Sequence, residues 1–262
     1  PRRIPNRWPP KNVTTRQFPM RNHVERQQGT ACCILPQNRV VYIDSNSRCV
    51  LGEFHGSGGV REVTVLGENV VTLSANPFRT HVVVVTESDC RFWSVADSPA
   101  EVATVALGQI GEPFYAQLSD SGRHALLALS ATSNDSTLVH IVVADKENPN
   151  ELIEVETADE FMELRFEWVR GGVALISSAS TRAAVGQRVY DIRGQPILES
   201  TRLYAINEGR ADELQRVDIG GQWVARSGNH DHICIVSTNA IQSGNELIGS
   251  VFRISEAGWR RA

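Results

Sequence analysis

From residue 29 onward the chain consists of short runs of β-branched and aliphatic residues that alternate with turn clusters. Runs of four to eight such residues, bounded by Gly, Asn, Asp, Ser or Pro, are typical of β-strands, and roughly twenty occur here. Clear examples are Val40–Asp44, His81–Thr86, Cys90–Val95, Ala125–Ser130, Leu138–Ala144, Val173–Ser177, His232–Val236 and Ser250–Ser255. Helical periodicity is weak, and the best helix candidates, Ser98–Val105 and Asn207–Leu214, are short and expected in loops. The sequence therefore predicts an almost all-β protein.

The strand segments also repeat at a longer period. The recurrent unit is an apolar strand, a polar turn and a second strand that ends in a bulky residue followed by Asp or Ser. The second strands of this unit are Arg39–Asp44, Cys90–Val95, Leu138–Asp145, Arg188–Ile192 and Ser250–Ser255. Their spacing is roughly 50 residues and reaches about 60 at the end, which is enough for four strands with their turns. This is the size of one blade of a β-propeller.

Several segments resemble the WD40-like β-propeller superfamily over roughly residues 30–260. Val41–Val50 looks like an outer strand and its turn, and Phe54–Val60 resembles the segment between blades, although His55-Gly56 reverses the family's Gly-His order. Asn76–His81 and Ser119–Arg123 resemble blade hairpins, and Ser88–Trp93 resembles the Asp-turn with its Trp-bearing strand. No Trp-Asp pair occurs in the chain. The resemblance implies a divergent propeller and no particular function.

The length sets the number of blades. Residues 29–262, at about 50 residues per blade, give four to five blades of four-stranded sheets. Three arrangements fit this number: a five-bladed ring, part of a larger propeller, or a ring closed by a partner's strand, since unpaired sheet edges are costly. A β-sandwich or a pair of β-domains is the alternative architecture.

Residues 1–28 differ from the rest and predict a separate, extended arm. Five prolines, at positions 1, 5, 9, 10 and 19, disfavour a helix because proline lacks a backbone donor. The arm has seven basic residues and one acid, a balance of +6, and since the whole chain carries −4, residues 29–262 carry −10. The residues we expect to bind a partner are Arg2, Arg3, Arg7, Trp8, Lys11, Arg16, Phe18 and Arg21.

The arm has two interpretations. It docks along a neighbouring protein, or it neutralises phosphates of RNA or DNA while Trp8 and Phe18 stack on bases. The negative body disfavours broad contact with nucleic acid, so protein docking is the preferred interpretation. An acidic stretch from Asp145 to Glu160 predicts a solvated face or loop that could receive a basic partner, the arm included.

Asn229-His230-Asp231-His232 is the sharpest local motif for chemistry. In a strand, His230 and His232 would point to the same side, and with Asp231 they could hold zinc or another transition metal. Further ligands would come from His55, His124, His140 or Cys234, none of them at a diagnostic spacing. A polar turn leading into a strand explains the motif more simply, so we predict no metal.

Motifs for covalent or phosphate chemistry are missing from the sequence. It has no Gly-x-Ser-x-Gly elbow, no Cys-x-x-Cys pair and no phosphate loop, because Gly56–Gly59 and Gly171-Gly172 lack the Lys and the helix. The five cysteines, with Cys32 and Cys33 adjacent, predict reduced thiols in an intracellular compartment, cytoplasm or nucleus, with an organelle not excluded. No apolar run approaches the ~18–20 residues of a membrane helix.

These observations favour a non-enzymatic protein-interaction scaffold without cofactors, a subunit of a larger intracellular assembly that the arm helps to tether. The first alternative is a nucleic-acid-associated subunit of a ribonucleoprotein, bound through the arm. The second is an enzyme or metal site around His230, Asp231 and His232.

Overall fold

The structure, a computed structural model, describes residues 32–55, 59–133, 136–159, 162–169, 172–179, 200–207, 209–217, 223–226, 232–238, 247–255 and 258–261. These residues form strands joined by turns and bends. A search of them for a helix long and apolar enough to cross a membrane finds none.

The described strands form five four-stranded antiparallel sheets, and each sheet takes its four strands consecutively from the chain. The first sheet contains β1 (Cys32–Leu35), β2 (Arg39–Ile43), β3 (Cys49–Phe54) and β4 (Val60–Gly67); the second β5 (Val70–Ala75), β6 (His81–Thr86), β7 (Asp89–Ser94) and β8 (Ala100–Ala106); the third β9 (Glu112–Leu118), β10 (His124–Ser133), β11 (Ser136–Asp145) and β12 (Asn148–Asp159); the fourth β13 (Met162–Val169), β14 (Gly172–Ala179), β15 (Ser200–Asn207) and β16 (Arg210–Val217); the fifth β17 (Trp223–Arg226), β18 (His232–Thr238), β19 (Leu247–Ser255) and β20 (Gly258–Arg261). Repeated four-stranded meanders are the blades of a β-propeller.

The hydrophobic core lies between neighbouring sheets. One apolar cluster joins the first sheet to the second, another joins the second to the third, and a third joins the third to the fourth. The strand β10 contributes side chains to two of these clusters. Leu127 and Leu129 pack toward the second sheet, whereas Leu126 and Ala128 pack toward the fourth. Successive side chains of a strand point to opposite faces, so a blade with neighbours on both sides needs an unbroken apolar run.

The fourth strand of a sheet is its irregular edge. In each of the first four sheets the pairing between third and fourth strands shifts register, for example between Phe92 and Trp93 opposite β8. Bulges of this kind bend the strand and increase the right-handed twist. Register shifts also occur between β5 and β6 and between β9 and β10, so irregular pairing is not confined to the fourth strands.

The architecture agrees with the sequence predictions. The five sheets match four to five blades and exclude the β-sandwich alternative. The hairpins at Asn76–His81 and Ser119–Arg123 and the strand at Cys90–Val95 are confirmed. The segment Arg188–Ile192 lies outside the described residues.

Four local predictions were wrong, one of them the helix candidate Asn207–Leu214, in which Asn207 ends β15 and residues 210–214 belong to β16. Val41–Val50 is not an outer strand, because β2 and β3 are the two central strands of the first sheet. Phe54–Val60 joins β3 to β4 within that sheet instead of linking two blades. Ser98–Val105 is neither helix nor loop, because residues 100–105 form most of β8. β8 is an edge strand that is buried on one side only, which accounts for its polar residues.

Candidate functional site

The hairpins of neighbouring sheets lie at one end of the blades. Loops between first and second strands and between third and fourth strands fall on the same end of a meander. Hydrogen bonds across sheets show that the sheets are aligned: the backbone N–H of Leu118 donates to Ser74 Oγ at 3.1 Å, and Trp168 Nε1 donates to the carbonyl of Gln117 at 3.1 Å. We call this end the hairpin rim, made of residues 36–38, 76–80, 95–99, 119–123 and 146–147.

Two hairpins of the rim have the same construction. Asn76 Oδ1 accepts hydrogen bonds from the N–H groups of Thr80 and His81, at 2.9 and 3.0 Å. In the next sheet, Ser119 Oγ accepts one from the N–H of His124 at 3.0 Å. A short polar side chain that bonds the backbone just ahead of it closes a turn without help from elsewhere. The Asn76 amide also donates to the carbonyl of Asp120 at 3.0 Å, so the two hairpins are fixed to each other.

The first of these hairpins carries an exposed aromatic tip. Phe78 is 70% exposed, and Pro77 and Arg79 on either side of it are exposed as well. The base beneath them is rigid, since the Asn76 side chain is buried and makes four hydrogen bonds. An exposed aromatic residue beside an arginine on a rigid base is the composition of a protein-binding hot spot.

The second hairpin is held by an ion pair. Arg123 donates from Nε and Nη2 to the two carboxylate oxygens of Asp145, at 2.9 and 2.7 Å, and its Nη1 lies 2.6 Å from Glu147 Oε2. Burial alone would raise the pKa of Asp145, but hydrogen bonds from Arg123 and from the N–H of Glu147 lower it below its usual value. The hairpin between β9 and β10 is therefore fixed to the turn between β11 and β12.

One histidine, His124, lies beside this ion pair, and a second, His81, lies against Gly122 of the same hairpin. The His124 ring stacks on Trp168 of the fourth sheet with centroids 6.0 Å apart, and its Nε2 lies 3.6 Å from Asp145 Oδ2. Burial lowers the pKa of His124 despite the neighbouring carboxylate. Burial, with a smaller effect from Lys146, also lowers the pKa of His81. Burial thus favours the neutral form of both rings; the His124 ring packs on Trp168, whereas His81 Nδ1 lies at hydrogen-bonding distance, 3.0 Å, from Thr80 Oγ1.

The acidic stretch is mostly the edge strand β12. Glu151 and Glu154 are exposed on it, as we expected of a solvated face. Two of its acids are used internally, however. Asp145 is buried against Arg123, and Glu156 accepts hydrogen bonds from Arg202 and from the Tyr204 hydroxyl, the latter at 2.6 Å. The second contact ties the third sheet to the fourth.

The joint between the first and second sheets contains a buried arginine. Arg39, the first residue of β2, is 6% exposed, and its Nη2 donates to the carbonyl of Ala96 in the loop after β7. Its Nε is buried without an acceptor, and so is Trp93 Nε1 in the same joint. Unlike the other joints at the rim, this one holds donors that the described part of the chain leaves unsatisfied.

Most of the predicted site residues cannot be compared with the structure. The arm residues Arg2, Arg3, Arg7, Trp8, Lys11, Arg16, Phe18 and Arg21 lie outside the described residues, as do His230 and Asp231. His232 is the half-buried first residue of β18. Within the described ranges, no three His, Cys, Asp or Glu side chains cluster as metal ligands would. His140, proposed as a further ligand, instead bonds Thr157 Oγ1 at 3.0 Å.

Similarity to known proteins is confined to the fold. No known protein family and no curated protein matches the sequence. The β-propeller domain of Myceliophteria thermophila Cps50 (Swd1) is 10% identical over 89% of this chain and 85% of that domain, with a TM-score of 0.42. The β-propeller domain of the Trilobed protease from Pyrococcus furiosus is 10% identical over 88% and 71%, with a TM-score of 0.44. The tricorn protease is 10% identical over 86% of this chain and 25% of its own, with a TM-score of 0.48.

The chain has the fold of a β-propeller. That conclusion comes from its own five four-stranded meanders, and it assigns no activity, because propellers host many functions.

Phe78, Arg79 and Arg39 are not among the functional residues predicted from the sequence. A signal for Phe78 was available, since an aromatic residue at the tip of a recognised hairpin has little apolar surface to pack against. Arg39 had no such signal. Its burial depends on Ala96, which is 57 residues away in the sequence.

Proposed function

We propose that this protein is a non-enzymatic interaction scaffold, a subunit of a larger intracellular assembly, that binds a protein partner at the hairpin rim. The observation that carries the proposal is the tip at Phe78 and Arg79, exposed on a hairpin whose base is fully hydrogen-bonded. A rigid base reduces the entropy lost on binding, and aromatic and arginine side chains contribute most to protein interfaces.

The arm has a second role in this proposal. Its net charge of +6 and its aromatic residues suit it to bind an acidic surface of a neighbouring subunit, while the rim contacts the partner. The exposed acids of β12 offer an intramolecular alternative for the same arm. The two sites are separable, because the arm precedes β1 and the Phe78 tip belongs to the second sheet.

The test is affinity capture of the tagged full chain from its native cell, followed by quantitative mass spectrometry. The double substitution F78A/R79A should remove a defined set of proteins, whereas V102A should retain it. Val102 is the control because it is an apolar residue of the same sheet, 49% exposed on β8, and is not one of the rim residues. Equal recovery with both variants would contradict a contact at the rim.

Deletion of residues 1–28 examines the arm separately. Under our proposal the deletion weakens capture of protein subunits without changing the thermal stability of the body. The ribonucleoprotein alternative predicts that the full chain binds RNA with a steep salt dependence that disappears on deletion. Recovery of RNA and no protein would favour that alternative.

A further inference from the structure

The joint between the first and second sheets buries a positive charge under the rim, and no carboxylate of the described residues forms an ion pair with it. Arg39 is the one arginine among the described buried side chains, and it forms no ion pair there. Its hydrogen bond to the carbonyl of Ala96 uses Nη2, while Nε is buried and has no acceptor. Trp93, which packs in the apolar cluster of the same joint, buries a second N–H without an acceptor.

The arginines that do form ion pairs lie in more exposed positions than Arg39. Each has a carboxylate partner although each is more exposed: Arg48 pairs with Asp44, Arg61 with Glu53, Arg91 with Asp89, Arg123 with Asp145, Arg202 with Glu156 and Arg210 with Asp212. Arg123 shows the geometry in full, with Nε and Nη2 on the two oxygens of one carboxylate. Arg39 is therefore the exception at the position where an unpaired charge is most costly.

Burying a guanidinium without a counter-ion costs several kcal/mol, and each buried donor without an acceptor adds to that cost. A ligand that is both anionic and able to accept two hydrogen bonds would offset the cost of the buried charge and the cost of the unsatisfied donors. Arg39 and Ala96 both adjoin solvent-exposed residues. Pro36, Gln37 and Asn38, in the hairpin before Arg39, are exposed, and so is Asp97, which follows Ala96.

We propose that Arg39 and Trp93 form a binding site for a carboxylate group of a bound polypeptide, inserted at the rim between the first and second sheets. Two oxygens of either a carboxylate or a phosphate match the paired donors of a guanidinium. A carboxylate fits better here, because a doubly charged phosphate would be repelled more strongly by Asp97 and by Glu53, the cross-strand neighbour of Arg39. The polypeptide source rests on the proposed function, whereas the anion site itself does not.

The test uses acetate as the probe with the full chain. Broadening of the acetate methyl resonance by the protein is measured at constant ionic strength, with chloride as the balancing anion. We expect saturable binding that weakens about tenfold in R39M, since a charge-assisted hydrogen bond is lost. Arg210→Met is the control, because Arg210 is an exposed arginine of the fourth sheet and its replacement should leave acetate binding unchanged.

Two further variants keep the result interpretable. Trp93→Phe keeps an aromatic ring at this position and removes the indole N–H donor. It should therefore weaken acetate binding even if R39M does not fold. Asp97→Asn removes the exposed carboxylate that follows Ala96 and should bind acetate at least as well as the unmodified protein. Binding that appears only in Asp97→Asn would identify Asp97 as the counter-ion and overturn the proposal. So would equal broadening in the unmodified protein and R39M.

The source of the carboxylate is resolved by two small probes. Acetyl-glycylglycine carries a main-chain carboxylate and acetyl-aspartate diamide a side-chain carboxylate, so the tighter of the two identifies the source, while inorganic phosphate should bind less tightly than either. Acetate binding without partner capture through Phe78 would contradict the proposed function and leave the site standing. Partner capture without acetate binding would contradict the anion site and leave the proposed function standing.

Discussion

Gly122 lies directly against the imidazole ring of His81, so that a β-carbon at position 122 would stand 2.6 Å from the ring's Cγ. The contact joins the hairpin of the third sheet to that of the second. Gly122 also has a φ of 68°, in the left-handed region that favours glycine.

The first prediction concerns this contact. Gly122→Ala should lower the free energy of unfolding by about 2–4 kcal/mol, because strain from positive φ adds to a clash with His81. Gly108→Ala is the control: Gly108 has a φ of 65°, and a β-carbon added there would meet nothing within 4 Å, so only the backbone strain of about 1 kcal/mol remains. Equal losses in urea denaturation would show that His81 yields to the methyl group.

The second prediction concerns the ion pair beneath the rim. Asp145→Asn should destabilise the protein by about 1–3 kcal/mol, because it removes a buried, doubly hydrogen-bonded carboxylate from Arg123. Glu147→Gln, at the exposed end of the same arginine, should cost under about 1 kcal/mol. Urea titrations of both variants measure the difference. A larger loss for Glu147→Gln would place the main interaction at the surface.

Asp145 should also make the stability of the folded protein depend on pH in the acid range. Its pKa is lowered in the folded state, so the unfolded chain binds a proton first as the pH falls. The stability from this group is complete above its unfolded value of 3.8 and is lost as the pH drops through the folded value. The Asp145→Asn variant should therefore lose less stability than the unmodified protein below about pH 4.

The third prediction concerns His124. Burial lowers its pKa from 6.5, so the neutral ring belongs to the folded state and protonation favours unfolding. Stability should fall as the pH decreases below about 6.5 toward the folded pKa, and His124→Phe should reduce this fall while keeping a ring against Trp168. The urea midpoint at about pH 7.5 and about pH 5.5, on either side of the unfolded pKa, measures the effect. His55→Gln, at an exposed position, should retain the full dependence.

The fourth prediction concerns thiol reactivity. Burial raises the pKa of Cys49 to about 12 and also raises that of Cys90, and both side chains are fully buried. Because the thiolate is the reactive form, both should resist an ionic disulfide reagent at about pH 8 until the protein unfolds. Cys32 is exposed and should react first. Peptide mapping at early times gives the order, and early modification of Cys49 would contradict the packing of the first sheet.

The architecture could be predicted because strand content and blade length are local properties. Four strands with their turns fill one repeat, and hairpins such as Ser119–Arg123 follow from turn-forming residues alone. The position of each segment within its blade is not local. Val41–Val50 was assigned to an outer strand, but a central strand and an outer strand have similar composition until the neighbouring sheet is known.

The site depended on contacts that composition does not encode. Asp145 was predicted to be part of a solvated face, yet Arg123, 22 residues earlier, holds it in a buried pair. Asn207–Leu214 was predicted as a short helix candidate in a loop, whereas Gly209, with a φ of 72°, lies in the turn that leads into β16 at Arg210. In both cases a long-range or backbone requirement outweighed the local pattern.

Each described sheet takes its four strands from one continuous segment, and this has a consequence for biosynthesis. A blade can form all its internal hydrogen bonds as soon as its own segment has left the ribosome, without waiting for a strand from the far end of the chain. The contacts that join blades, such as Arg39 with Ala96 and Asn76 with Asp120, form only when the next segment follows. The order of synthesis is thus also an order of assembly, in which each nascent blade supplies the surface on which the next one folds.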